Sequence, residues 1–201
     1  MIFRIKHRWR IAAAVTVAWA GVNFLLGGWH GVTGGRLSLP AQIGIGAAGA
    51  ALAMLINGAL HEGLKRLVGA PYVARFDAYA RDVIDGMRGR ECVAGGLMAA
   101  LAEETFFRGV VLRAIDGPVL AVAVSALLFA AAHWLRPRYF CFWLWAMWEG
   151  VLFGTLYVAT GSLLVPMIAH GLHDLVAYRL FIFMTSGSRG ACSFAPSSMT
   201  A

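Results

Sequence analysis

The sequence predicts an all-α fold: a polytopic membrane helix bundle of about six transmembrane helices, with one further amphipathic helix on the membrane surface. Three observations predict it. Of the 201 residues, 60% are hydrophobic and only 13% are charged, where a water-soluble domain carries roughly 25% charged. Mean hydropathy is +0.71, so there is too little polar side chain to cover a water-facing surface. Twenty-four glycines and seven tryptophans suit helices that approach closely in lipid, with aromatic rings at the interface. This balance excludes a soluble globule, a disordered chain and a coiled coil.

A helix needs about 20 apolar residues to cross the hydrocarbon core. Six segments meet that length: 11–28, 41–60, 92–115, 118–135, 139–160 and 162–184. The first follows Arg4, Lys6, Arg8 and Arg10 and contains Ala18-Trp19-Ala20, a pattern shared with cleavable signal peptides. Its apolar run continues through Phe24-Leu25-Leu26, long enough to span, so an uncleaved first helix is expected. With the second span it forms an N-terminal pair, 1–60.

Residues 61–91 are the one long polar stretch. Within it Val73, Phe76, Ala80, Ile84 and Met87 recur at helical spacing among Arg75, Asp77, Arg81, Asp82, Asp85 and Arg88. A cytoplasmic helix lying on the membrane surface is the simplest account. Residues 92–184 then supply a four-helix core, and the Ser-, Gly- and Pro-containing segment 185–201 is expected to be a flexible tail.

The net charge of +7 would suggest nucleic acid in a soluble chain. Here the basic residues cluster at the ends of apolar runs, where they set topology and meet anionic lipid, and no nucleic-acid partner is expected. With six spans and the N-terminus inside, fourteen basic residues fall on the inner side. Only Arg36 and Arg113 fall outside, and Arg108 lies within a span. That bias places both termini in the cytoplasm, in a bacterial-type inner membrane. Cys92, Cys141 and Cys192 are odd in number and far apart, which reads as core filler and not as a disulfide framework or a zinc site.

Ionisable side chains deep in a bilayer cost roughly 2.5–3.5 kcal/mol each, so they need a partner or a purpose. Three places carry them. In the third span, Glu103 stands twelve residues after Glu91, roughly 18 Å along a helix and near mid-membrane. Glu104 and Arg108 are spaced i, i+4 and can pair on one face. Glu103 is then left about 100° round the helix without a partner, a setting that suits a general base or acid. A cluster that merely locks helices together would show the same residues. In the fourth span, Phe129 and His133 stand four apart near its end, where a lone His is commonly an interfacial or core residue. In the sixth, His170, His173 and Asp174 fall within five residues. Two imidazoles and a carboxylate can bind a metal, orient water, stabilise an oxyanion, or clamp helices. Asn23, Asn57 and His61 read as helix–helix or interfacial contacts. Glu149, in the tryptophan-rich fifth span, has no partner that the sequence decides.

Taken in order, Glu103-Glu104…Arg108, Phe129…His133 and His170…Asp174 resemble the motifs of the CAAX protease and bacteriocin-processing family of intramembrane endopeptidases. Those motifs are Glu-Glu-x-x-x-Arg, Phe-x-x-x-His and His-x-x-x-Asn or Asp on successive core helices. The resemblance covers about residues 90–184. It implies hydrolysis of a peptide bond in a membrane-associated peptide or protein, with Glu103 activating water and His133 positioning it. Glu104 and Arg108 would hold the geometry. His170 and Asp174 would stabilise the oxyanion or complete a metal site. Were the enzyme a metalloprotease, Glu103, His133, His170 and Asp174 would hold a divalent metal such as zinc; a glutamate-type protease would need no cofactor. Asp at 174 cannot donate to an oxyanion unless protonated, and His173 falls at an unspecified position of the motif.

Peptide hydrolysis needs an activated water and a stabilised tetrahedral oxyanion, which a carboxylate with imidazole or metal groups supplies. No Gly-x-Ser-x-Gly and no His-Glu-x-x-His occurs. Two other classes of function use the same residues: a non-catalytic membrane partner or immunity protein with polar clamps, and a haem or metal carrier ligated by His133 and His170. By residue counting, His133 lies near the inner end of its span while Glu103 and His170 lie deeper, so a shared site requires tilted or staggered helices.

Overall fold

The computed structural model describes residues 8–84, 87, 89–133 and 140–191. They form seven α-helices and no strand: α1 Arg8–Leu25, α2 Leu39–Val68, α3 Ala70–Ile84, α4 Gly89–Glu104, α5 Pro118–Ala132, α6 Phe140–Thr160 and α7 Leu164–Ala191. Directly after Glu104, α4 widens into a π-helical stretch, Thr105–Val111, and then tightens into a 3-10 turn, Leu112–Ala114. Six helices match the six apolar segments, and α3 is the amphipathic one.

The structure differs from these expectations in three places. α2 runs through His61 to Val68, so the first residues of the polar stretch extend a span. It stops at Gly69, whose φ of 74° is left-handed and whose N–H donates to the Lys65 carbonyl, letting the chain fold back into α3. α3 does not simply lie on lipid. Its Tyr72, Ala80 and Ile84 are buried, and Ala80 and Ile84 pack with Phe181 of α7, bordered by Phe76, Met87, Tyr178 and Ile182. Finally, α7 remains helical to Ala191, past the expected end at 184. The rest of the expected tail, 192–201, lies outside the described residues, as do Arg4, Lys6, Asp85, Arg88, Arg136 and Arg138.

By length and composition, two helices qualify as membrane spans, Leu39–Val68 and Phe142–Thr160; Ala13–Leu25 and Pro118–Ala132 are apolar but shorter. The apolar windows of the two qualifying helices are only 28% and 22% buried, so their hydrophobic residues face outward. Large apolar side chains such as Leu55, Val119 and Phe183 are likewise exposed, whereas Asn23, Asn57, Glu104, Arg108, His170 and His173 are buried. A polar interior inside an apolar exterior is the arrangement lipid demands and water penalises.

α7 is the central helix, packed against α2, α3, α4 and α6. Small residues permit this. A Cβ on Gly96 of α4 would lie 2.7 Å from the carbonyl oxygen of Gly171 on α7, so these two backbones touch as small-residue membrane contacts do. That crossing lies beside His170 and Asp174 and about two turns before Glu103 and Glu104.

Candidate active site

The buried half of the site starts where α4 becomes π-helical. Glu104 and Arg108 keep the four-residue spacing that places them on one face, and Arg108 Nη1 donates to Glu104 Oε1 at 3.0 Å with both side chains fully buried. Arg108 Nη2 donates to the Gly150 carbonyl of α6 at 3.0 Å, and the guanidinium lies 4.7 Å from the Phe129 ring centroid. A charge withdrawn from water is tolerable only with such partners. The widened turn is tied from outside. Asn23 of α1 donates to the Ala102 carbonyl and Thr105 Oγ1, each at 2.8 Å, and Ser125 of α5 donates to the Phe107 carbonyl at 2.8 Å. π-helical turns recur at functional sites; this one follows directly on the paired glutamates.

Glu103 points elsewhere. Its side chain is 29% exposed and its Oε2 lies 3.6 Å from Nε2 of His133, too long for a direct hydrogen bond. Oε2 is itself buried and without a hydrogen-bond partner. His133 terminates α5, and its Nδ1 donates to the Phe129 carbonyl at 2.8 Å. In the neutral ring Nε2 is therefore the bare nitrogen, so two acceptors face one another across a short gap. Such a gap calls for a proton or a water donating to both. The depth mismatch expected from residue counting does not keep the two apart, since His133 Nε2 and Glu103 Oε2 lie 3.6 Å from one another.

α7 closes the opposite wall. His170 Nδ1 donates to Glu104 Oε1 at 2.8 Å, and its Nε2 lies 3.7 Å from Asp174 Oδ2. The ring stacks on Phe153 at 5.0 Å. Asp174 Oδ2 accepts from the Tyr178 hydroxyl at 3.1 Å, and Oδ1 accepts from His173 Nδ1 at 3.2 Å. Asn57 of α2 donates to His173 Nε2 at 2.9 Å and to Glu149 Oε1, and accepts from the Trp148 indole at 3.0 Å.

Glu103, His133, His170 and Asp174 line one cavity of about 730 Å³, together with Asn57, Glu149 and His173. Glu104 and Arg108 sit behind its wall. The outer part of the cavity is aromatic, with Phe76, Tyr79, Phe142 and Trp145, and Glu62 and Lys65 stand at its exposed rim. Residues read from the sequence as helix contacts or left undecided, namely Asn57, Glu149 and His173, thus share the cavity with the expected set. Tyr178 joins them; its signal was available, since it stands four residues after Asp174 on the same apolar helix.

Among the described residues, no three His, Cys, Asp or Glu side chains are grouped as a metal ion would need. His170 has Nδ1 committed to Glu104 and His133 has Nδ1 committed to a backbone carbonyl, leaving one nitrogen on each ring. As arranged, Glu103, His133, His170 and Asp174 do not make a metal-binding group.

Neither the curated proteins nor the solved structures include a match to this chain. Residues 91–176, under half of its length, match a family model described as type II CAAX prenyl endopeptidase Rce1-like. The matched segment contains Glu103, Glu104, Arg108, His133, His170 and Asp174, and a family of that description is one of proteases. The family that residues 91–176 match is therefore the one their three motifs resemble, the Rce1-like CAAX prenyl endopeptidases.

Proposed function

We propose that this protein is an intramembrane endopeptidase that cleaves a membrane-associated peptide or protein through a Glu103-activated water. The observation that carries the reading is the 3.6 Å gap between Glu103 Oε2 and His133 Nε2, two acceptors from different helices at the wall of a cavity large enough for a peptide segment. A water donating to both is oriented with a lone pair toward the cavity. Glu103 accepts its proton as the oxygen attacks the scissile carbonyl, then returns that proton to the leaving amine. With Nδ1 tied to Glu104, His170 presents only Nε2 to the developing oxyanion and stabilises it when that nitrogen carries a proton. Glu104 and Arg108 touch no substrate in this scheme; they fix His170 and the register of α4.

The positive-inside count puts the Glu62 and Lys65 rim on the cytoplasmic side, so substrate enters from the inner leaflet through the aromatic part of the cavity. Those rings suit an apolar or lipid-modified segment.

The test is comparative peptidomics of membranes holding wild-type protein or Glu103→Gln, with a prenylated CAAX peptide as defined probe. Loss of the general base lowers kcat by about 10²–10⁴-fold while the protein stays folded in the membrane. Full activity in the variant would reject Glu103 as the base. Cleavage that disappears on chelation and returns with a divalent ion would replace this scheme with a metal-assisted one.

A further inference from the structure

We infer that His173 is a positioning residue of this site, held by Asn57 so that its Nδ1–H clamps the Asp174 carboxylate against His170. The role rests on the proteolytic reading above; the hydrogen-bond chain stands on geometry alone. A carboxylate at 174 offers only acceptors, so its orientation must be set by donors supplied from elsewhere. Two are present: His173 Nδ1 at 3.2 Å from Oδ1 and the Tyr178 hydroxyl at 3.1 Å from Oδ2. The same Oδ2 faces His170 Nε2 at 3.7 Å, the ring nitrogen left free by the Glu104 bond.

His173 can donate from Nδ1 in its neutral form only if Nε2 is the acceptor. Asn57 Nδ2 enforces that, donating to Nε2 at 2.9 Å. Asn57 in turn cannot flip, because its Oδ1 accepts from the Trp148 indole at 3.0 Å and its Nδ2 also donates to Glu149 Oε1. Donors and acceptors therefore run in one direction, from Trp148 on α6 to Asn57 on α2, then to His173 and Asp174 on α7. Glu149 Oε1, 3.4 Å from His173 Nε2, would hold the opposite tautomer, but the Asn57 amide lies closer to that nitrogen and donates to both. Without the His173 donor, Asp174 loses the contact on Oδ1 and can turn about its terminal torsion, which is soft. His170 then loses its fixed neighbour.

The test uses full-length protein in proteoliposomes and the prenylated CAAX peptide. His173→Leu lowers kcat about tenfold with KM within about twofold, and His173→Asn, whose side-chain NH₂ can replace the donor, recovers most of that loss. In an Asp174→Asn background, residue 174 carries its own NH₂ donor, so adding His173→Leu changes kcat less than about twofold. Equal losses in the two backgrounds would overturn the inference, because a His173 that merely packs acts independently of residue 174. Imidazole ¹⁵N spectra supply a readout free of any substrate. The His173 signal reports the Nδ1–H tautomer in wild type and a mixture in Asn57→Leu; an Nε2–H tautomer in wild type defeats the clamp. A wild-type protein that cuts neither the probe nor any membrane peptide defeats the proteolytic reading and the turnover role together, and the tautomer then decides the hydrogen-bond chain on its own.

Discussion

Arg108 is the residue with the most to lose. It is fully buried, and its partners are one carboxylate oxygen, one carbonyl and two aromatic faces. Replacing it with Met keeps the volume and removes the charge, which leaves Glu104 buried with His170 as its remaining partner. Breaking a buried pair from one side is destabilising by roughly 3–5 kcal/mol, so Arg108→Met should lower the unfolding midpoint in detergent markedly. Removing both charges with Glu104→Gln and Arg108→Met should restore much of that stability while leaving His170 without its acceptor charge and cleavage impaired. The same logic separates the two neighbouring glutamates. Glu104 is fully buried, as the proposed structural role requires, and Glu103 lines the cavity, as the proposed base must. A hundred degrees of helix rotation assigns those roles, and it is visible in the spacing Glu103-Glu104-x-x-x-Arg108 alone. The fate of His173 is not: nothing in the sequence says that a donor from α2 meets its second nitrogen.

Helices bring these groups together through their lengths and crossings. α5 ends at Ala132, and the residue that caps it, His133, lines the cavity 3.6 Å from Glu103. α4 and α7 touch at Gly96 and Gly171, where a Cβ on Gly96 would also lie 3.6 Å from Asp174 Cβ. Gly96→Val should therefore separate the helices, lengthen the Glu104–His170 bond, and reduce both cleavage and thermal stability. Gly44 of α2 is the contrast, with nothing within 4 Å of an added Cβ. Gly44→Ala should leave cleavage intact and raise stability by about 0.5–1 kcal/mol, the helix-propensity difference. Equal effects at the two positions would show that the crossing does not set the site. α3 adds a feature that its amphipathic pattern concealed. The apolar face read as lipid-binding instead covers α7 and lines the cavity with Phe76 and Tyr79. Periodicity identifies which face is apolar and says nothing about what that face meets.

As a whole the described part of the molecule is apolar outside and polar within, and the sequence count of basic residues predicts a cytoplasmic N-terminus. Cysteine-accessibility labelling should therefore find a cysteine at Arg36 reactive from outside the cell and one at Arg75 reactive only from within. The opposite pattern would invert the topology and turn the cavity mouth outward. Composition and periodicity were enough to predict an all-helical chain, with six apolar segments and an amphipathic seventh helix, because each depends on local hydrophobicity and helical pitch. The three motifs were enough to nominate Glu103, Glu104, Arg108, His133, His170 and Asp174. Convergence was another matter. That Glu103 and His133 stand 3.6 Å apart, that Asn57, Glu149 and His173 share their cavity, and that Asp174 is held by donors from its own helix were decided only by the tertiary structure. Distances between side chains on different helices depend on crossing points, axial stagger and turn widening, and no single segment of sequence encodes any of these by itself.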